Sequence, residues 1–290
     1  MSKAAQLRKC FREMPLVPII GAHHPLSARL AEHAGFAGIW ASGFELSAAY
    51  GVPDASLISM TQHLEMARAI NDAVGIPVVA DVDTGYGNAI NVIYTVEKYE
   101  RAGMAAMVIE DKKFPKDTSL LAGGRQELLS MDEFAGKIEA AVDARTDADF
   151  MIIARVEALI AGQGQTEAKR RGECYADAGA DAVLIHSKSK TPDEIVEFIN
   201  AWEHATPLVI VPTAYPQLTE RDITSLRKVR MVIYGNHGIR AAVTGMEQVF
   251  KQIRSDGGIQ NVDKTIVPVT HIFDLQDVPK MKENEKNFLR

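Results

Sequence analysis

Residues 101–111 read RAGMAAMVIED and carry the plan of the whole chain. A helical stretch stops at Gly103, a short apolar run follows, and the run ends on two acids, Glu110 and Asp111. Glycine just past a helix C-terminus accepts the left-handed backbone that closes it. A run this short and this rich in Val and Ile reads as a buried strand rather than a helix. The same phrase returns as HAGFAGIW at 33–40 and DAGADAVL at 177–184. Eight such runs occur along the chain: Val17–Ile20, Gly38–Ala41, Pro77–Ala80, Ala106–Ile109, Met151–Ala154, Ala182–Ile185, Leu208–Val211 and Met231–Tyr234.

Amphipathic stretches lie between most of them. Gln62–Val74 places Leu64, Met66, Ala67, Ile70 and Val74 near helical spacing, and Ile90–Ala102, Met131–Arg145 and Thr191–His204 behave alike. Eight strands alternating with helices predict a (β/α)8 TIM-type barrel. The expected organisation is one domain over 1–290 with a C-terminal helical extension from about 245. The stretch from about Gly257 is polar and mixed, and ends in a charged helix over Val278–Arg290. A doubly wound open sheet is the alternative; its dinucleotide-binding form is disfavoured because no G-x-G-x-x-G follows the first run.

Composition narrows the function. Of 290 residues, 47% are apolar and 24% charged, enough to bury a large core. Thirty-two Lys and Arg against 38 Asp and Glu give a net charge of −6, and no basic run resembles a phosphate-backbone footprint, so no nucleic-acid partner is expected. No continuous apolar window has membrane-spanning length, and MSKAAQLRKCFREM is too polar for a signal peptide. Cys10 and Cys174 are too few for a disulfide framework or a zinc site. Reduced thiols in the cytoplasm are the expectation.

In a parallel barrel every strand's C-terminal end opens on one face, so residues distant in sequence converge there. Those ends carry Trp40, Ser42 and Gly43; DVDTGYGN at 81–88; EDKKFPKDTS at 110–119; Arg155 and Glu157; HSK at 186–188; Pro212–Thr213; and GNHGIR at 235–240. Asp81 and Asp83 stand two apart, so in an extended segment both carboxylates address one point, and Glu110 can join them. Three carboxylates without thiolates or paired imidazoles suit Mg²⁺, with Mn²⁺ or Co²⁺ as substitutes. Either Asp alone could instead cap a helix or order the Gly85–Gly87 turn. Arg155 can fork onto an anion. His186 can donate a hydrogen bond or move a proton, or be a hydrogen-bonded structural residue. His23 and His24 are placed near the site, and His33 and His63 on helix surfaces. Lys112–Arg125 is long and basic: a loop able to close over an anionic substrate, or a solvated loop.

Four segments together resemble a known group: GxxxxLSAxxAExAGFxGxWxSG (21–43), DxDTGYGN (81–88), EDKxFPK (110–116) and HSK (186–188). The chain is similar to the isocitrate lyase/phosphoenolpyruvate mutase superfamily over at least Leu16–Gly238. The resemblance implies a barrel whose C-terminal helix is exchanged between subunits of a homotetramer, and Mg²⁺-dependent action on oxo acids. Carbon–carbon lyases of the group carry a K-[KR]-C-G-H segment; KFPKDTS has no cysteine there. Phosphoenolpyruvate mutases read E-D-K-x-x-x-K-x-N-S and H-S-R, whereas this chain has Thr118 and Lys188 at the variable positions. The implied reaction is therefore hydrolysis of the carbon–phosphorus bond of phosphonopyruvate to pyruvate and phosphate, through a Mg²⁺-stabilised enolate. Interconversion of phosphonopyruvate with phosphoenolpyruvate is the alternative, followed by an oxo-acid C–C lyase or hydrolase and a non-catalytic oxo-acid-binding barrel. By resemblance Asp81 is the direct metal ligand, with Asp83, Glu110 and Asp54 reaching the metal through water; Asp54 is also a candidate catalytic residue. Ser42 and Gly43 offer amides beside the wall of Trp40. Arg155, His186 and Lys188 meet substrate anions, and Lys116, Thr118 and Ser119 close over them.

Overall fold

The computed structural model describes residues 1–290. In chain order its elements are α1 (Lys3–Glu13), β1 (Val17–Ala22), α2 (Pro25–His33), β2 (Gly38–Ala41), α3 (Gly43–Ala49), α4 (Met60–Ala73), β3 (Val78–Asp81), α5 (Ala89–Arg101), β4 (Ala106–Glu110), α6 (Met131–Ala144), β5 (Met151–Val156), α7 (Gly164–Asp177), β6 (Ala182–Ile185), α8 (Asp193–Ala201), β7 (Leu208–Ile210), α9 (Glu220–Ser225), β8 (Val229–Tyr234), α10 (His237–Asp256), α11 (Val269–Leu275) and α12 (Val278–Phe288). The eight strands close a barrel in sequence order, and β1 pairs in parallel with both β2 and β8. This is the (β/α)8 barrel expected from the repeated strand phrase.

The helix-stopping glycines do the work that the repeat assigned to them. Gly35, Gly103 and Gly179 all have positive φ, at 88°, 80° and 99°, and each is followed at once by a barrel strand. Two apolar layers result. One lies between strands and helices, with Ile39, Ala80, Ile109, Ala154, Ile185 and Ile210. The other fills the barrel, with Ile19, Trp40, Val79, Val108, Ile153, Leu184, Val209 and Ile233. Their alternation along each strand is the period of two that a pleated strand imposes. The N-terminal stretch, read only as polar, forms α1, whose Leu7 and Phe11 join the barrel-filling layer.

By its internal contacts the chain divides into two units, Met1–His237 and Gly238–Arg290. The first is the barrel. The second is helical, and α10 leaves Val243, Met246 and Phe250 exposed. No helix is long and apolar enough to cross a membrane.

One placement is corrected. His63, expected on a helix surface, is buried on α4 with Nδ1 2.8 Å from the Tyr99 hydroxyl. The buried arc of α4 is His63, Ala67, Ile70 and Asn71, with Leu64 and Met66 partly buried against the same core. Burial pushes the His63 imidazole down to about 4.

Candidate active site

The period of two that fills the barrel also builds the site. Two residues beyond Trp40, Val79, Val108, Ile153, Leu184, Val209 and Ile233 stand Ser42, Asp81, Glu110, Arg155, His186, Val211 and Gly235. The inward face is apolar along each strand and turns polar one step later at five of these seven positions, Val211 and Gly235 being the exceptions. The resulting pocket is walled by Trp40, Ser42, Asp54, Asp81, Lys116, Thr118, Ser119, Arg155 and His186, with Phe44, Leu120, Val211, Thr213, Gly235 and Asn236 completing it.

On one side three carboxylates surround a single ammonium, with Asp81 beside them. Lys116 Nζ lies 2.6 Å from Asp83 Oδ1, 3.2 Å from Asp54 Oδ1 and 3.8 Å from Glu110 Oε1. Asp81 Oδ2 accepts the Gly43 amide at 3.1 Å. Asp83 does not reach the cluster by lying in an extended strand, as the two-residue spacing implied. It sits past the end of β3 with φ 50°, and its carbonyl accepts the Glu110 amide at 2.8 Å. A turn, not a pleat, brings the acids together.

The electrostatics follow from burial. It pushes Asp81 above the usual carboxylate range and Asp83 up to about 7, while Lys116 pulls both the other way. Burial would lower the Lys116 ammonium, yet Asp54, Asp83, Glu110 and Asp81 together hold it well above its ordinary value. Both oxygens of Glu110 are buried and accept no hydrogen bond; their nearest cations are 3.8 Å away at Lys116 and 3.4 Å away at Arg155. Such under-used hard oxygens fit Mg²⁺. No three acid or imidazole groups close into a tight ligand cage.

On the other side Glu157 gathers the cations. Arg155 Nε donates to its Oε1 at 2.5 Å, and His186 Nδ1 stands 2.9 Å from the same oxygen. Ser119 Oγ donates to Oε2 at 2.7 Å. His186 Nδ1 is also 2.9 Å from Arg155 Nη2. Arginine only donates and a carboxylate only accepts, so the two contacts require opposite tautomers. Burial lowers the His186 imidazole below its ordinary value despite Glu157, so a neutral ring is favoured at neutral pH. Burial alone would raise the Glu157 carboxyl, but Arg155, His186 and Lys112 hold it well below the usual range.

Most of the expected residues meet here: Trp40, Ser42, Asp54, Asp81, Lys116, Thr118, Ser119, Arg155 and His186 line the pocket, and Asp83 and Glu110 touch its lysine. Two stand differently. The Gly43 amide is directed at Asp81. Lys188 is turned out, its ammonium donating to the Ile160 carbonyl at 2.7 Å, because HSK leaves the strand end and only its first residue keeps the inward phase. His23 and His24 are structural: His23 Nδ1 is 2.9 Å from Glu45 Oε2, and His24 caps α2. Glu157 and Lys112 are not among the expected site residues, although Glu157 stands at a strand end and Lys112 opens the basic loop. The strand-end position marked Glu157, but nothing in the sequence showed that Lys112 folds inward.

A family model of phosphoenolpyruvate phosphomutase matches residues 7–254. The chain belongs to the phosphoenolpyruvate phosphomutase family. Among relatives within and around this family, it is 58% identical to the phosphonopyruvate hydrolase of Variovorax sp. (strain Pal2) over 290 residues, covering 100% of both chains. A crystal structure of phosphonopyruvate hydrolase in complex with oxalate and Mg²⁺ superposes with a TM-score of 0.95 at 57% identity, covering 100% of both chains. A phosphoenolpyruvate phosphomutase structure from Streptomyces platensis subsp. rosaceus superposes with a TM-score of 0.97 at 53% identity, covering 99% of each.

Proposed function

We propose that this enzyme hydrolyses the carbon–phosphorus bond of phosphonopyruvate, giving pyruvate and phosphate, with Mg²⁺ as cofactor. The observation that carries the reading is a single pocket with a carboxylate nest on one wall and Arg155, His186 and Thr118 on the others. The full-length likeness to a phosphonopyruvate hydrolase supports it. Asp81 would hold Mg²⁺ directly, and Asp83, Glu110 and Asp54 through water. Bound there, Mg²⁺ supplies Lewis-acid polarisation of an oxo acid's carbonyl and carboxylate oxygens.

The chain's own residues then divide the labour. When the C–P bond breaks, its electron pair flows into the carbonyl and leaves pyruvate enolate. Arg155, positively charged throughout, stabilises the anionic oxygens as charge moves. His186 donates a hydrogen bond to the phosphoryl group in the tautomer set by Arg155. The phosphoryl group passes in line to a water oxygen, which loses a proton, and the enolate carbon gains one. The Thr118 hydroxyl orients that water. Ser119 and Lys116 keep bulk solvent out, and Asp54 places the Lys116 ammonium. Ser42 and the Trp40 ring bound the oxo-acid end, and the Gly43 amide supports it through Asp81. Lys188 serves by holding the loop at Ile160 rather than by touching substrate.

A second reading, phosphoenolpyruvate/phosphonopyruvate interconversion, is favoured by the 53%-identical phosphomutase structure. The proposed assembly is a cytoplasmic homotetramer of helix-exchanged pairs, its exchanged element drawn from the segment after about 245; the exposed Val243, Met246 and Phe250 support an occupied apolar face. The test is stoichiometry. Phosphonopyruvate with Mg²⁺ should release pyruvate and phosphate in equal amounts, and excess chelator should stop it. Release of neither product overturns the reading.

A further inference from the structure

Lys112 lies at the root of the loop that carries Lys116 and Thr118, yet only 1% of it is exposed. The loop is pinched at its base, where Lys112 bridges Leu128 and the Lys113 amide donates to the Glu127 carbonyl at 2.9 Å. From there the Lys112 side chain runs inward. Its ammonium donates to the Asp117 carbonyl at 3.0 Å and to Ser119 Oγ at 2.7 Å, and lies 3.4 Å from Glu157 Oε2. Thr118 is thus flanked on both sides in sequence by groups that Lys112 holds.

Ser119 Oγ is saturated by this arrangement. It accepts from Lys112 and, at 3.1 Å, from Arg155 Nη2, and gives its one hydrogen to Glu157. Glu157 is fixed from behind as well. Its amide donates to Asp111 Oδ1 at 2.9 Å, and Asp111 Oδ2 takes Arg171 Nη1 at 3.0 Å and the Tyr175 hydroxyl at 2.9 Å. A continuous hydrogen-bonded path therefore runs from α7 through Asp111 and Glu157 to the loop. A buried lysine leaves a donor or its charge uncompensated unless each is met; here the ammonium meets one carbonyl, one hydroxyl and one carboxylate.

We infer that Lys112 is a positioning residue for the proposed C–P cleavage: its buried ammonium ties the loop bearing Lys116 and Thr118 to the same Glu157 carboxylate that holds Arg155, the donor to His186. The inference rests on the proposed hydrolysis for its kinetic consequence, but the tie itself is physical and separately measurable. Lys112 does not itself line the pocket; it reaches it only through Ser119 and the Asp117 carbonyl, so it acts through the loop. Its loss should spoil alignment in the reacting complex more than binding to the barrel floor.

The test uses Lys112→Met, an unbranched replacement that leaves Glu157 with Arg155 and His186. Three quantities are compared with the unmodified enzyme: kcat for phosphate release, the Kd of oxalate with Mg²⁺, and the rate of tryptic cleavage after the exposed Lys113 and Arg125. Expected are a kcat lower by about ten- to a hundredfold, the scale of one or two lost hydrogen bonds, an oxalate Kd within about threefold, and cleavage faster by about tenfold or more. Unchanged kcat and cleavage overturn the inference, and so does a loss of oxalate binding as large as the loss of kcat, which would mark a general structural role. If Lys112→Met does not fold, Ser119→Ala severs the same junction and is read by the same three measurements. If the unmodified enzyme releases no phosphate, the functional reading fails, and the tryptic rates of the two proteins still decide whether Lys112 ties the loop.

Discussion

Lys116 Nζ stands 2.6 Å from Asp83 Oδ1, at the centre of the carboxylates best suited to a divalent cation. The ammonium does electrostatically what a metal would do, and both claim the same oxygens. Lys116 therefore has a structural duty that a solvated loop lysine would lack. Lys116→Ala should lower the melting temperature without metal, since stripping one partner from a buried ion pair costs about 3–5 kcal/mol. Added Mg²⁺ should then raise the melting temperature of the variant more than that of the parent, because it fills an uncompensated nest. Thermal shift with and without Mg²⁺ checks this; equal shifts would remove Lys116 from the cation's place.

Asp81 is held by the Gly43 amide and ends β3, so its loss should disturb the metal and little else. Asp81→Ala should abolish the Mg²⁺-dependent thermal shift and lower turnover below detection, while the metal-free melting temperature changes by only a few degrees. Calorimetric titration with Mg²⁺ provides the check. An unaltered Mg²⁺ affinity would move the direct ligand elsewhere in the cluster.

Thr118 lines the pocket between the ends of the Lys112 tie. Its single hydroxyl can orient a water, whereas an asparagine at this position could hold two phosphoryl oxygens. Thr118→Ala should slow phosphate release by about ten- to a hundredfold, the scale of a lost positioning hydrogen bond. Steady-state kinetics with phosphate detection tests it, and a rate unchanged within error would take Thr118 out of water activation.

Glu157 offers a pH signature. Its carboxyl is held well below the usual range by Arg155, His186 and Lys112, against the opposing push of burial. In the unfolded chain it titrates near the ordinary glutamate value of about 4.3. The folded state therefore binds its proton less readily than the unfolded one. The stabilisation is fully present above about pH 4.3 and is lost as pH falls further toward the lower folded value. Glu157→Gln should be less stable than the parent at pH 7, and the gap should narrow below about pH 4.3. Melting curves between pH 3 and pH 7 measure it; a gap independent of pH would mean that the charge of Glu157 contributes nothing to folding.

The barrel was legible because its signal is local and repeated. Gly35, Gly103 and Gly179 stop helices by one mechanism, and the apolar runs that follow them are too short to be anything but strands. The polar layer was legible for the same reason: Asp81, Glu110, Arg155 and His186 all occupy the first inward position after an apolar run. Where this phase ends, sequence reasoning loses its hold. Asp83 reaches the cluster by a left-handed turn, Lys188 has left the strand and turns to Ile160, and Lys112 enters the interior from a segment that reads as a charged loop. Each depends on long-range contacts, with Lys116, Ile160 and Glu157 respectively, that no periodicity announces. His63 shows the same limit on a helix, where a polar partner, Tyr99, rewards burial of a residue that a hydrophobicity pattern sends to solvent.

In the proposed reaction the phosphoryl group leaves carbon for water. Following phosphorus by ³¹P NMR while the enzyme acts on phosphonopyruvate with Mg²⁺ tests it most directly. The phosphonate signal should be replaced by inorganic phosphate, with little phosphoenolpyruvate at any time. Phosphoenolpyruvate as the dominant product would contradict it, and would show that Thr118 holds the phosphoryl group for return to the enolate oxygen.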